Sequence, residues 1–493
     1  MLFNSQIFVF VFLPFMLIGY YGLHKLKIHK AAKILLLLGS LYFYAYYNLR
    51  YTALLVCGII GNYILYRILG ALRSDDQKQQ VIRKMVAIFG VSANLLLIFY
   101  FKYFNFFITN VNRVFAANLG LRDIILPLGI SFFTFQQISF IVDSYRQETG
   151  QYSLLDYGVF ISFFPQLVAG PIVLHQEMIP QLADKERWHL NVERMAVGLR
   201  YFVMGLFKKT MIADRFGNVA TLGYTNVLRW NTWEAAFIIL SYTLQIYFDF
   251  SGYSDMAIGL GKMFGLDIPV NFNSPYKAVT IADFWKRWHM TMTNFFTKYV
   301  YIPLGGSRKG RIRTYVNILI VFSLSGLWHG AAWSFVLWGM MHGAALVFHR
   351  IFNRYIEKLP KAVTGLSTFV FVNIAWVLFR ADSVWQARQM IRCLFSGKIT
   401  GGSLDLCYAF LGGNLQLMFE NVPYNTVLFD GIACAAAIVG LAAGLILVFI
   451  GASSHQIANN RKIYRSEGVI WGIMFVLSIM TFTNVSTFLY FDF

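Results

Sequence analysis

The sequence predicts an all-α protein that crosses a membrane many times, and its composition and the spacing of its apolar blocks support this. Of the 493 residues, 57% are apolar, 18% are aromatic and only 13% are charged, and the mean hydropathy is +0.56. A soluble domain could not shield so much apolar surface from water. A helix that crosses the hydrocarbon core needs about 20 mostly apolar residues. Apolar blocks near this length recur along the chain, and we expect roughly eleven spans from them.

The candidate blocks alternate with short polar loops. The shorter blocks are expected to form re-entrant or interfacial helices, which a membrane protein tolerates where they are buried in protein. The first block is expected to remain as a helix, because no basic region precedes it as in a signal peptide. The blocks are 6–23, 31–49, 51–69, 85–101, 127–142, 157–174, 194–207, 233–249, 315–329, 331–348, 366–379, 427–450 and 468–490.

The basic residues predict the orientation of the chain. Lysines cluster between Lys25 and Lys33, basic residues return between Arg67 and Lys84, and Arg50 lies alone between these groups. Cytoplasmic loops carry the excess of Lys and Arg, so the N-terminus is expected outside. This bias and contact with anionic membrane lipids explain the net charge of +19, and no nucleic-acid partner is expected.

The cysteines indicate neither disulfides nor a metal site. Cys57, Cys393, Cys407 and Cys434 lie in or beside apolar segments without the spacing of a ligand set, so we expect packing roles and no metal. We also find no internal repeat or soluble-domain linker. One membrane domain is therefore predicted over residues 1–493.

The stretch from Asp283 to Gly343 concentrates charge, histidines and glycines between apolar blocks. His329 follows a long apolar run and so is predicted at membrane depth, where an ionisable group indicates a functional site. The alternative is a structural histidine that bonds a neighbouring carbonyl. Gly330 ends the predicted helix and could open space beside the ring, which favours the functional interpretation.

Several other polar residues leave more than one interpretation open. Asp249 and Asp255 lie beside small residues at the end of an aromatic helix; they orient a histidine, fold a re-entrant segment or cap helix ends. Arg308, Lys309 and Arg311 either hold the phosphates of a coenzyme or only mark the cytoplasmic side.

Several motifs together resemble the membrane-bound O-acyltransferase (MBOAT) family. The residues that carry the likeness run from Asp283 to His289, from Tyr301 to Gly306 and from Trp328 to Gly330. Further segments are similar to the bacterial alginate O-acetyltransferase subfamily, namely 126–132, 167–171 and 249–259. The likeness covers nearly the whole chain and is weakest after Asp382.

The resemblance implies a polytopic fold around a central cavity or funnel, with a catalytic core at about residues 120–380. It places the active-site histidine at His329 and a second characteristic histidine at His289, with Trp328 and Asp283 in the same motifs. Acetyl-CoA is the implied acetyl donor, with no bound cofactor. An SGNH-type partner outside the membrane would complete transfer to a polysaccharide, and the location is the bacterial cytoplasmic membrane.

The chemistry agrees with this assignment. Moving an acetyl group from a thioester to a hydroxyl needs a base near neutral pKa, and an imidazole provides one. We expect His329 to be that base. Lys286 and Arg287, beside His289, are further candidates for binding the donor.

Two alternatives stay open. One is D-alanyl transfer to teichoic acid from a carrier protein, which uses the same chemistry with a different donor. The other is a transporter that moves a glycan or a lipid-linked glycan without catalysis, which also needs polar groups at membrane depth.

Overall fold

The computed structural model describes residues 1–73, 75–399, 403–412, 426–459, 465–482 and 488–489. All regular secondary structure in these ranges is helical, which agrees with the predicted all-α class. The last predicted apolar block, 468–490, lies only partly within the described residues.

The helices are, in chain order, α1 Leu13–Lys25, α2 His29–Ala45, α3 Leu49–Ala71, α4 Gln77–Ile98, α5 Phe104–Phe115, α6 Ile130–Tyr145, α7 Leu154–Ser162, α8 Phe164–Leu167, α9 His175–Ala183, α10 Val192–Phe207, α11 Asp214–Thr225, α12 Thr232–Met263, α13 Ile281–Trp285, α14 Met290–Phe296, α15 Arg311–His329, α16 Trp333–Ile356, α17 Lys361–Arg380, α18 Val384–Leu394, α19 Leu404–Leu411, α20 Thr426–Phe449, α21 Ser454–Ala458 and α22 Arg465–Met480. Short π-helical turns precede α1, α5 and α11 and follow α14.

Six of the described helical segments are long and apolar enough to cross a membrane. The predicted number of roughly eleven spans is not confirmed. Two predicted blocks form helices of only 16 residues, α6 and α10, which is short for a hydrocarbon core about 30 Å thick. The six segments are Phe8–Lys25, Leu49–Ala71, Gln77–Phe115, Trp333–Ile356, Lys361–Arg380 and Phe429–Phe449.

The chain groups into two compact units, each built from separate stretches of sequence. Among the described residues, the first unit comprises Met1–Val203, Tyr253–Val270 and those after 481, and the second comprises Met204–Gly252 and those between 271 and 481. The prediction of one membrane domain over residues 1–493 therefore stays a prediction.

The first unit combines an aromatic core with buried polar clusters. Phe3, Phe8 and Phe164 contact one another with ring centroids 4.9 to 6.4 Å apart. His175 on α9 lies 3.1 Å (Nε2 to Oδ2) from Asp143 on α6, and both are fully buried. A buried ionisable group needs such a partner, because an unpaired charge in an apolar interior is costly.

In the second unit, α15 and α16 pack with their backbones in close approach. A Cβ atom at Gly326 would lie 2.2 Å from the carbonyl oxygen of Phe335, and one at Gly339 would lie 2.2 Å from that of Phe322. Small residues allow such helix contacts in membrane proteins. The contact fixes the end of α15, where His329 lies.

Candidate active site

His329, the first predicted catalytic histidine, is the last residue of α15. Gly330 follows in an extended conformation, with φ −162° and ψ 149°, and ends the helix as its sequence position predicted. The imidazole is buried. Its ring centroid lies 4.9 Å from that of Trp328, 5.1 Å from that of Trp338 and 5.1 Å from that of Phe379. Helix end and aromatic contacts together hold the ring in one place.

His289, the second predicted histidine, has a backbone conformation that is unusual for a residue with a side chain. It precedes α14 with φ 44° and ψ 53°, in the left-handed region. Such a residue costs of order 1–3 kcal/mol and persists only where the surroundings determine it; such residues cluster at functional sites. The ring is fully buried, and burial lowers the pKa of His289 from 6.5 to about 3. The imidazole is therefore neutral at physiological pH.

Asn271 determines which nitrogen of His289 carries the proton. The Asn271 Oδ1 atom accepts hydrogen bonds from the backbone N–H of Thr291 at 3.3 Å and from its hydroxyl at 3.0 Å. The same oxygen lies 3.1 Å from His289 Nδ1. Because an oxygen can only accept, Nδ1 must carry the proton of the neutral ring. The Nε2 atom of His289 is consequently the proton acceptor.

The two histidines lie close together. Their ring centroids are 6.3 Å apart with the planes inclined by 56°. Trp328 contacts both rings, at 6.0 Å from His289 and 4.9 Å from His329, and Phe250 packs edge-on against His289 at 4.8 Å. Two residues 40 positions apart in sequence thus share one aromatic pocket.

The predicted charged residues near His289 separate into two groups. Arg287 Nε donates to Asp283 Oδ1 at 2.8 Å, and Asp283 Oδ2 also accepts from the backbone N–H of Val279 at 3.2 Å. Asp283 therefore holds the turn that leads into α13 and pairs with Arg287. Lys286 instead lines a cavity.

That cavity has a volume of about 420 Å³ and walls of mostly apolar side chains from α13 to α16, with Lys286, His349 and Arg350 as its basic residues. Ser325, one turn before His329, and Met292, three residues after His289, both line it. The two lie in contact, with Ser325 Oγ 3.8 Å from Met292 Sδ. The cavity therefore borders both helices that position the histidines.

The other three predicted donor-binding cations do not line this cavity. Arg308, Lys309 and Arg311 are exposed, in the loop before α15 and at its first residue. Their exposed position agrees with the alternative interpretation, in which they only mark the cytoplasmic side.

The two predicted supporting aspartates differ in their surroundings. Asp249 Oδ1 accepts from Lys209 Nζ at 2.7 Å, and Asp214 accepts from the same ammonium at 2.8 Å. Asp249 thus belongs to a buried ion cluster. Asp255 is buried in the part of α12 that belongs to the first unit.

One residue of the site, Asn271, was not predicted from the sequence. The sequence indicates only a turn-prone linker at this position, because a polar side chain 18 residues before a histidine carries no periodic signal. His342 is buried and accepts from Trp285 Nε1 at 3.2 Å. Within the described ranges, no group of three or more His, Cys, Asp or Glu side chains is placed to hold a metal ion.

Known proteins share this pattern of residues over long stretches. Residues 41–382 match the model of the membrane-bound O-acyltransferase family. The chain is 37% identical to the peptidoglycan O-acetyltransferase of Helicobacter pylori, over 100% of this chain and 98% of that protein. It is 36% identical to the probable alginate O-acetylase AlgI of Pseudomonas aeruginosa, over 86% of this chain and 84% of that protein.

A more distant relative is the teichoic acid D-alanyltransferase of Bacillus subtilis, which is 24% identical over 52% of this chain and 69% of that protein. The family match covers more than half of the chain and includes both histidines and the elements that hold them. This protein therefore belongs to the membrane-bound O-acyltransferase family and is a multi-pass membrane O-acyltransferase.

Proposed function

We propose that this protein takes an acetyl group from acetyl-CoA on the cytoplasmic side of the bacterial inner membrane and passes it on for O-acetylation of an extracytoplasmic polysaccharide. The observation that carries the proposal is the pair of buried histidines, 6.3 Å apart, beside a cavity bordered by the helices that hold them. The peptidoglycan O-acetyltransferase and the probable alginate O-acetylase named above match this chain over most of their length. Their names support acetyl as the transferred group and a polysaccharide as the acceptor.

In the proposed reaction His329 is the general base. The acceptor hydroxyl oxygen attacks the thioester carbonyl carbon while its proton passes to the imidazole. The carbon–sulfur bond then breaks, and the leaving thiolate takes the proton from the imidazolium. Thioester and alcohol become ester and thiol, and the base is regenerated. A positioned general base typically contributes about 10²–10⁴ in rate.

His289 has a restricted role in this proposal. With Nδ1–H donating to Asn271, its Nε2 atom can accept a hydrogen bond but cannot donate one. It therefore orients a hydroxyl or thiol group by accepting its proton in a hydrogen bond. Stabilising negative charge on the carbonyl oxygen would require a donor at that nitrogen, so we do not assign that role to it.

The 420 Å³ cavity is the proposed donor site. Ligand pockets of this kind are mostly apolar with a few placed polar groups. Its apolar wall suits the pantetheine arm, and Lys286, His349 and Arg350 suit the phosphates. Of the five cations considered from the sequence, Lys286 is thus the one that the cavity supports.

The acceptor is proposed to be a cell-wall or secreted polysaccharide, such as peptidoglycan, alginate or cellulose. An SGNH-type protein outside the membrane is the proposed partner, and the attacking hydroxyl belongs either to the polysaccharide or to a group of that partner which carries the acetyl onward. The apolar segments that are long enough to cross a membrane and the basic loops support a location in the bacterial inner membrane.

The experiment that tests the proposal follows labelled acetyl in membranes that contain this protein and its partner. Supply of acetyl-CoA alone is expected to label polysaccharide as an O-acetyl ester. A requirement for D-alanine on a carrier protein would instead support the teichoic acid branch. Glycan movement that persists in His329→Gln, with no O-acetyl ester formed by the wild type, would support a transporter.

A further inference from the structure

The first unit contains a second cavity, which is basic and unrelated to the histidine pair. Its volume is about 830 Å³, and it lies at the turn between α1 and α2 together with the segment around Trp188. Three lysines and three histidines line it: Lys25, Lys27, Lys185, His24, His29 and His189. None of its described lining residues is acidic. The carboxylate of Asp184, which is close in sequence, pairs with Arg187 at 3.2 Å.

One of these lysines has a backbone conformation that favours glycine. Lys27 has φ 63°, and the turn is closed by hydrogen bonds from its N–H to the His24 carbonyl and from the Ile28 N–H to the Leu23 carbonyl, both at 3.0 Å. Helices commonly end in this left-handed conformation with Gly. A lysine there costs conformational energy that glycine would avoid. Strain of this kind points to a role for the side chain.

The histidines provide hydrogen-bond donors beside the lysines. His24 is buried, and its Nδ1 lies 2.9 Å from Nδ1 of His29, so one ring donates and the other accepts. In the neutral pair the accepting ring must carry its own proton on Nε2. In the described residues the Nε2 atom of His24 has no hydrogen-bond partner.

An aromatic surface lies against both rings. The Trp188 centroid is 5.3 Å from that of His24, with the planes inclined by 23°, and 4.2 Å from that of His29. The indole N–H donates to the Leu182 carbonyl at 3.2 Å, which fixes the ring. Cations, N–H donors and a flat apolar face thus line one space.

We propose that this cavity binds a phosphate-bearing anion. Ammonium groups and imidazole N–H donors bind phosphate oxygens, and the lack of a lining carboxylate leaves their charge available to a ligand. Basic pockets beside membrane helices on the cytoplasmic side bind anionic lipid headgroups, and a soluble phosphate has the same recognition chemistry. The inference rests on the cavity alone and does not depend on the proposed acetyl transfer.

The test uses the double variant Lys27→Gly/Lys185→Gln of the purified full chain. Glycine at position 27 removes the cation and also relieves the left-handed strain, so folding is preserved. Lys30→Gln is the matched control, because Lys30 is exposed and does not line the cavity. Two probes are measured: phosphatidylglycerol, by native mass spectrometry against phosphatidylcholine, and inorganic pyrophosphate, by titration calorimetry.

The wild type is expected to bind at least one of the two probes, and Lys30→Gln should bind that probe with the same affinity as the wild type. The double variant should bind that probe roughly 25-fold more weakly, since each basic group near an anionic phosphate contributes about fivefold. If the double variant binds phosphatidylglycerol more weakly, the ligand is a lipid headgroup. If it binds pyrophosphate more weakly, the ligand is a soluble phosphate. Failure of the wild type to bind either probe, unchanged binding in the double variant, or equal weakening in Lys30→Gln would overturn the proposal.

Discussion

His289 and His329 lie with ring centroids 6.3 Å apart although they come from different elements. His329 is held by the end of α15, and His289 by a left-handed turn before α14. The neutral state of His289 and its fixed tautomer follow from burial and from one oxygen of Asn271. The predictions below test this arrangement and the packing that maintains it.

Asn271 is a positioning residue, since it acts through His289. Asn271→Leu removes the oxygen that fixes the protonated nitrogen, so the ring can adopt the other tautomer. We expect the turnover number to fall by roughly 10-fold to 100-fold, which is less than the loss of a general base of about 10²–10⁴. The KM for acetyl-CoA should change little. Steady-state kinetics of reconstituted protein measure both constants.

Asn271→Asp is the companion variant, because aspartate keeps an acceptor oxygen at the same position. It should retain more turnover than Asn271→Leu. Equal loss in both variants would mean that Asn271 stabilises the fold and does not set the tautomer.

Lys286 should contribute to donor binding. Lys286→Gln is expected to raise the KM for acetyl-CoA by up to roughly fivefold, because one exposed ion pair contributes at most about 1 kcal/mol. The effect on turnover should be smaller, because contacts to distant phosphates stabilise the ground and transition states alike. Lys309→Gln is the matched control, since Lys309 is exposed and does not line the cavity. A larger KM effect at Lys309 would return the donor site to the loop before α15.

The positions of the histidines could be predicted from the sequence only in part. Gly330 breaks the helix after His329, and this local signal gave the correct helix end. The contact between His289 and Asn271 depends on a segment of 18 residues that includes α13 and returns to its starting point, and no sequence periodicity predicts such a return. Asp249 shows the same limit: its partner Lys209 is 40 residues away, so the sequence left capping and orienting roles open.

The number of membrane spans could not be predicted from hydropathy alone. Hydropathy identifies helices that are long and apolar enough to cross a membrane, such as α3 and α17. Nearly every residue of α6 is buried, including Ser139 and Asp143, so its surroundings are protein and its polarity does not report membrane depth. The pairing of Asp143 with His175 likewise joins two helices that have no common sequence signal.

Gly326 should tolerate no side chain. In Gly326→Ala the new Cβ would lie 2.2 Å from the carbonyl oxygen of Phe335, and backbone cannot move aside cheaply. We expect destabilisation of about 1–3 kcal/mol, as for other overpacked sites, and reduced activity, because α15 carries His329. Gly61→Ala is the control, since a Cβ there meets nothing within 4 Å. Thermal unfolding in detergent compares the variants, and equal stability would contradict the close approach.

Asp249 should stabilise the second unit through Lys209. Burial alone would lower the pKa of Lys209, but Asp249 and Asp214 raise it, and the net pKa lies above the ordinary 10.5. A pKa raised in the folded state gives stability that is complete below 10.5 and is lost only as the pH rises through the folded pKa. Asp249→Ala should therefore lower the free energy of unfolding by about 1.5–3 kcal/mol, as for one hydrogen bond to a charged group, because Asp214 still pairs with Lys209.

The same loss is expected at about pH 6 and at about pH 9, because Lys209 is charged at both. Chemical denaturation at the two pH values checks this. A loss present at only one of them would mean that a different group, with a pKa between the two values, forms the ion pair.

The central claim is that His329 removes the proton of the attacking hydroxyl. The most direct measurement is the rate of acetyl ester formation from labelled acetyl-CoA by His329→Gln in proteoliposomes supplied with the partner. His455→Gln serves as the control, because His455 is an exposed histidine of α21. Glutamine preserves size and hydrogen bonding but cannot take up and release a proton, so we predict a turnover lowered by about 10²–10⁴ in a correctly folded variant, with the control unchanged. Near-normal turnover of His329→Gln would contradict the account and move the base to His289 or to the partner protein.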